Sequence, residues 1–235
     1  MKTIGLIGGM SWESTTEYYK IINQTIKQEL GGLHSAKCLM YSVDFQEIEE
    51  CQASGDWNKS GQILAKAAAS LEKAGADFIV ICTNTMHKVI DIIKNSIHIP
   101  ILHIAEVTAQ ALLSDGIVTV ALLGTKYTME QDFYKNRLIA NHINVIIPDE
   151  GDRTIINNII YDELCLGKIN PESKMQFLAI IEKLRQQKAQ AIILGCTEIG
   201  LLVHQADTTI PLYDTSYIHA HSAAMQALKN RWQEA

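Results

Sequence analysis

The sequence predicts an α/β protein made of two pseudo-symmetric domains, each with a mainly parallel sheet flanked by helices and with the active site in the cleft between them. Three observations predict it. The strand-like runs are short and apolar throughout, helix-patterned segments separate most of them, and the second half of the chain resembles the first. Strands that are apolar on both faces belong to sheets covered on both sides, which is the habit of parallel sheets.

The strand candidates in order are "TIGLI" (3–7), "CLMYSV" (38–43), "FIVIC" (78–82), "ILHI" (101–104), "VTVALL" (118–123), "NVII" (144–147), "AIILG" (191–195) and "IPLY" (210–213). Apolar spacing of three and four predicts helices over 15–30, 57–74, 85–96, 128–140, 152–166, 171–188 and 215–232, with a short one over 44–52. The repeat pairs "TIGLIGG" with "TVALLGT", "FIVICTNT" with "AIILGCTE" and "IPILHIAEV" with "IPLYDTSYI". Gly8 thereby matches Gly124, Thr83 matches Cys196, and Pro100 matches Pro211. Capping-box patterns fall in register too, at Ser14-x-x-Glu17 and Thr128-x-x-Gln131. The expected domains are 1–112 plus 213–235, completed by the C-terminal helix, and 113–212.

With 235 residues and a net charge of −6, the chain has the length for two small domains and no basic run to attract nucleic acid. Its apolar stretches fall far short of the roughly 20 residues that cross a bilayer. Residues 1–10 carry no signal-peptide pattern. Five widely spaced cysteines make no disulfide framework and no zinc pattern. Free thiols and a cytoplasmic location are therefore expected.

The polar residues gather where strands end. "GLIGGMSWEST" (5–15) lacks a dinucleotide fingerprint. Its glycines permit a tight turn, and Ser11, Ser14 and Thr15 fit either ligand contact or helix capping. "ICTNTMH" (81–87) and "GCTEIGLL" (195–202) each place small polar groups at a strand-to-helix corner, where unsatisfied helix amides attract carboxylates. A helix N-terminus also lowers the pKa of a thiol, so Cys196 is expected to favour the thiolate. Cys82 lies one residue before the position that matches Cys196 and reads as packing. His87 fits either a cleft or a core; His103 and His219 are weaker candidates.

Together, "GLIGGMSWEST", "CTNTMH" and "GCTEIGLL" resemble the aspartate/glutamate racemase family over essentially the whole chain. The likeness is closest to its bacterial L-aspartate/glutamate-specific, broad-specificity subgroup. The resemblance implies a cofactor-independent racemase, without metal, of two α/β domains, assembled as a homodimer and acting on an acidic amino acid. In that family a cysteine from each half flanks the substrate α-carbon. Here the second cysteine motif is intact as Gly195-Cys196-Thr197, while threonine stands first in Thr83-Asn84-Thr85. The implied roles are Cys196 as thiolate base and Thr83 as the opposing proton donor. Met10, Ser11, Gln52, Asn84, Thr85, Thr125, Thr197 and Glu198 are candidate substrate contacts. No Arg or Lys occupies "VDFQEIEECQASGDW", which leaves Lys168 as the candidate cation for the distal carboxylate. Two other readings stay open. One is a different single-cysteine enzyme of the same superfamily fold, a decarboxylase or isomerase of a small dicarboxylate; the other is a non-catalytic binder of acidic amino acids.

Overall fold

The structure, a computed structural model, describes residues 1–229. The chain divides into two compact units. The first is Met1–His103 with the segment from His219, and the second is Ile104–Ile218.

In the first unit, four parallel strands lie in the order β2-β1-β3-β4: β1 Ile4–Gly8, β2 Cys38–Ser42, β3 Phe78–Ile81 and β4 Ile101–Leu102. Its helices are α1 Trp12–Leu30, α2 Phe45–Ser54, α3 Trp57–Lys73 and α4 Ile90–Lys94, the last preceded by a 3-10 turn over Thr85–Val89. The second unit opens with α5 Ile104–Ser114 and continues through β5 Thr119–Leu123, α6 Lys126–Glu130, α7 Asp132–Ala140, β6 Asn144–Ile146, α8 Glu150–Asp162, α9 Pro171–Gln186, β7 Ala191–Leu194, α10 Ile199–Leu202 and β8 Leu212–Asp214. Its strands are again all parallel, in the order β6-β5-β7-β8. Thus β1 to β4 correspond one for one with β5 to β8, and each sequence match in the repeat falls on a corresponding strand. Helix α11 (Thr215–Leu228) starts in the second unit, and its residues from His219 belong to the first.

Each sheet is covered on both faces because its side chains alternate and both sets are apolar. In the first unit, Ile79 and Ile81 join a core with Leu64, Ala68 and Ile93 of α3 and α4. Phe78, Val80 and Cys82 point the other way, into a core with Tyr18, Ile22 and Ile26 of α1 and Ala220, Ala223 and Ala227 of α11. In the second unit, Ile192 and Leu194 pack with α8 and α9 residues such as Ile156, Ile160 and Phe177. Ala191 and Ile193 pack with Ile104, Leu112 and Tyr134. Each large side chain buried in this way contributes about 1.5–3 kcal/mol.

Several local expectations change. The stretch after β4, read as the end of a strand, is helix α5, whose Ile104, Ala105, Ala109 and Leu112 line the core of the second unit. That packing puts the boundary at His103 rather than at residue 112. The chain returns to the first unit at His219 rather than at 213. The capping boxes also lie elsewhere. Ser11 caps α1 by accepting from the Ser14 amide, and Thr125 caps α6 by accepting from the Thr128 amide. Both caps sit three residues ahead of the expected Ser14 and Thr128, so the two halves keep their register. The expected helix over 128–140 is split at Gln131 into α6 and α7. Residues 230–232 of the expected last helix lie outside the described residues, as does the rest of the tail.

Candidate active site

The register of the strands defines two equivalent corners. Ile7 of β1 pairs with Ile81 of β3, and Leu123 of β5 pairs with Leu194 of β7. Two residues beyond each of these last paired positions stand Thr83 and Cys196. The residue between them is Cys82 in the first unit and Gly195 in the second.

In the first unit, Cys82 is fully buried among Leu6, Val80 and Ala224. Burial pushes its thiol well up from the ordinary range. Thr83 is the one half-buried residue of 81–87; its neighbours on both sides are buried. Its amide donates to the Ile81 carbonyl at 2.8 Å, and its own carbonyl lies 2.9 Å from His87 Nδ1. Asn84 and Thr85 follow at 2% and 6% exposure. They open a five-residue 3-10 turn in which Asn84 makes no side-chain cap bond. The expected α-helical N-terminus is therefore absent here, and with it most of the aligned peptide dipole.

The other first-unit candidates are well buried. Met10 belongs to the core of Ile7, Ile48 and Met86, and Gln52 of α2 donates from Nε2 to Met86 Sδ at 3.1 Å. Ser11 is the α1 cap, and Ser14 and Thr15 both donate back to its carbonyl. The Gly9 amide donates to Thr15 Oγ1 at 2.9 Å, which closes the turn. Gly9 sits at φ +92, where a Cβ would also run into the Val43 carbonyl. These hydroxyls thus build the loop that follows β1.

In the second unit, Gly195 lets two strand ends come together. Its amide donates to the Leu123 carbonyl at 2.6 Å, and a Cβ there would lie 2.7 Å from that same oxygen. At Gly124 a Cβ would lie 2.9 Å from the Gly195 carbonyl. Close approach thereby fixes the backbone on which Cys196 rides. Thr215 adds a tie from α11, donating to the Leu194 carbonyl at 2.7 Å.

Cys196 is 8% exposed and packs in the core of Ile199, Leu202 and Leu164. Its Sγ donates to Glu198 Oε2 at 3.0 Å, and Thr197 Oγ1 donates to the same oxygen at 2.8 Å. The expected low-pKa thiolate is not what this geometry holds. Burial pushes the thiol well up, and the Glu198 charge pushes it further. Helix α10 has only four residues, too few to supply a compensating dipole. A carboxylate 2% exposed and bonded to both hydroxyl and thiol is the dominant local charge.

Thr125 is 6% exposed, and its Oγ1 lies 3.2 Å from Thr128 Oγ1 at the start of α6. Lys168 stands exposed after the left-handed Gly167, with its amide bonded to the Glu163 carbonyl at 2.9 Å. No described contact brings it to Cys196. Among the described residues, no group of three or more His, Cys, Asp or Glu could hold a metal, and no helix is long and apolar enough to cross a membrane.

One cluster was missed by sequence reasoning. His219 Nε2 lies 2.9 Å from the Leu102 carbonyl, and its Nδ1 lies 2.9 Å from Tyr18 Oη. A carbonyl can only accept, so Nε2 carries the proton, Nδ1 is the bare nitrogen, and the tyrosine donates to it. The His87 ring packs 4.6 Å from that of His103 and 5.8 Å from that of His219. In the sequence the three histidines stand singly, and no local pattern joins residues so far apart to Tyr18.

Two α/β units of identical parallel strand order, with Thr83 and Cys196 at equivalent strand ends, define a duplicated α/β fold. Known proteins place it further. The profile of the Asp/Glu/Hydantoin racemase family matches residues 7–223, and the chain belongs to that family. Its class is therefore that of the isomerases. It is 26% identical over 225 residues to the broad specificity amino-acid racemase RacX of Bacillus subtilis (strain 168), covering 93% of this chain and 95% of that one. A Yersinia pestis protein assigned to the Asp/Glu racemases has a crystal structure similar to this one at TM-score 0.90 and 56% identity, covering 97% of this chain and all of the other (100%). An aspartate racemase homologue from Pyrococcus horikoshii OT3 matches at TM-score 0.84 and 34% identity, covering 97% and 99%.

Proposed function

We propose that the protein racemises acidic amino acids, aspartate or glutamate, without a cofactor, with Cys196 as base and Thr83 as the opposing proton donor. The observation that carries this reading is the equivalence of Thr83 and Cys196 in two units wound alike. The reading requires the two side chains to reach opposite faces of one substrate α-carbon. It also takes the protein as a cytoplasmic homodimer.

The raised thiol pKa makes the base a conditional one. In the unliganded protein burial and the Glu198 charge together keep Cys196 protonated. A substrate ammonium beside Glu198 cancels that charge, and the thiol then ionises more readily. The thiolate takes the α-proton from the L-enantiomer. Charge that develops on the α-carboxylate is met by neighbouring donors, for which Asn84, Thr85, Thr125 and Thr197 are the candidates. Thr83 returns a proton on the far face. A hydroxyl is a weak acid and a weaker base than a thiol, so turnover through Thr83 is slow. The enantiomers have equal free energy in water, so kcat/KM must be the same in both directions. Met10, Ser11 and Gln52 border the pocket in this reading, and Lys168 meets the distal carboxylate.

The test is solvent deuterium incorporation at the α-carbon of each enantiomer of aspartate and glutamate, followed by proton NMR. The reading expects exchange together with inversion. A non-catalytic binder gives neither, and a decarboxylase consumes the acid instead.

A further inference from the structure

We infer that His87 is a positioning residue for Thr83, its ring held by the buried frame of Tyr18, His103 and His219. What Thr83 does is taken from the racemase reading above; how it is held is read from the first unit alone.

The chain changes its hydrogen-bond pattern at this corner. In an α-helix the His87 amide would bond to the carbonyl four residues earlier, that of Thr83. Here the amide bonds instead to Asn84 at 3.1 Å, in the 3-10 manner. The Thr83 carbonyl is met by the side chain, with His87 Nδ1 at 2.9 Å. Because the carbonyl only accepts, Nδ1 carries the hydrogen. The imidazole thus does from the side what the helix would have done from below. It keeps the Thr83 peptide bonded while the 3-10 turn holds it outside a regular helix. The Thr83 amide is bonded to Ile81, so both polar groups of that residue's backbone are fixed.

The ring that does this is itself confined. His87 is 1% exposed and its ring packs tilted at 52° against that of His103, with His219 edge-on at 62°. His219 is bonded at both nitrogens, to Leu102 at the end of β4 and to Tyr18 of α1. The frame therefore draws on β4, α1 and α11, three elements distant in sequence from Thr83. A hydroxyl poised to deliver one proton depends strongly on its position, and a small misplacement is costly.

The experiment compares the parent protein with His87→Leu and His87→Asn. Inversion and α-deuterium washout of L-aspartate and L-glutamate are followed side by side in deuterated buffer, and nitrogen-15 NMR reads the imidazole tautomers of the parent. An asparagine amide nitrogen lies close to the Nδ1 position and keeps a donor there. Inversion, which needs Thr83, should fall about 10- to 100-fold in the Leu variant. Washout through Cys196 should fall much less. The Asn variant should recover most of the lost inversion, and His87 should carry its proton on Nδ1. Washout and inversion falling together in a folded Leu variant would overturn the inference, as would an Asn variant no better than Leu. Should the Leu variant not fold, the tautomer and the washout-to-inversion ratio of the Asn variant decide. A parent that inverts neither acid overturns the racemase reading, and the positioning role with it. An Nε2–H tautomer in an active parent overturns the positioning role alone.

Discussion

Acidification should weaken this fold through one imidazole. His219 is fully buried, and burial, followed by the neighbouring His87, pushes its pKa from 6.5 down to about 3. The folded protein therefore holds His219 neutral where the unfolded chain has begun to take up a proton. Stability from this source is complete above pH 6.5, declines as the pH falls below that value, and levels off near pH 3. At about 1.4 kcal/mol per pH unit across the roughly 2.5 units from 6.5 to 4, the loss by pH 4 is about 3 kcal/mol. His219→Gln supplies the control, since glutamine keeps a neutral donor near Nε2 and cannot titrate. Urea unfolding of both proteins at pH 7 and pH 4 gives four free energies. The variant starts less stable at pH 7, yet it should lose about 3 kcal/mol less than the parent on going to pH 4. Titrating groups other than the neighbouring His87 are common to both and cancel in the difference. Equal losses in parent and variant would refute the assignment of His219 as a buried neutral group.

Four further outcomes are expected. Cys196→Ser should abolish α-proton exchange with either enantiomer while Cys82→Ser retains most of it; the reverse result would mean that the strand register has been misread. Thr83→Ala should leave washout from the L-enantiomer running after inversion has largely stopped, and Thr83→Cys should raise kcat/KM equally from both enantiomers, as polarimetry on each would show. Glu198→Gln should lower the pH at which Cys196 is alkylated by iodoacetamide, because it removes the charge that raises the thiol pKa; residue-resolved mass spectrometry distinguishes Cys196 from the other four cysteines. Lys168→Met should raise KM for aspartate and glutamate about tenfold and leave an uncharged amino acid unaffected, in line with about 1.5 kcal/mol for a charge-assisted hydrogen bond.

The central strands β1, β3, β5 and β7 were legible because they are apolar on both faces, as a doubly covered sheet requires. The repeat was legible because "FIVICTNT" and "AIILGCTE" keep one register, which also set Thr83 rather than Cys82 against Cys196. Helix α5 was not legible. "IAEVTAQALL" follows a strand-like "ILHI", and apolar residues on several sides blur its period. Sequence places the helix caps three residues late because Ser14-x-x-Glu17 and Thr128-x-x-Gln131 fit the capping-box pattern, whereas Ser11 and Thr125 lack a Glu or Gln three residues on; only the amide directions show which residues cap. The state of Cys196 depends on where the Glu198 carboxylate turns, and a position two residues away does not fix that. The buried histidines come from the residue after β4, from α11 and from the turn after β3, so their meeting is a property of the tertiary fold.

The glycine beside the thiol limits how such an enzyme can diversify. Any codon change at Gly195 that alters the residue adds a Cβ, and that atom has nowhere to go against the Leu123 carbonyl. The matching position in the first unit, Cys82, already carries a side chain and buries it. The two corners therefore have unequal mutational freedom. On the first, the residue before Thr83 already carries a Cβ, so exchanging it for another small apolar side chain adds no new clash with the backbone. On the second, the group at 196 can be exchanged, but the backbone that presents it is held by a residue with no viable neighbour in the genetic code. New chemistry on this scaffold is expected to arise from the hydroxyl side, with the thiol side as its fixed point.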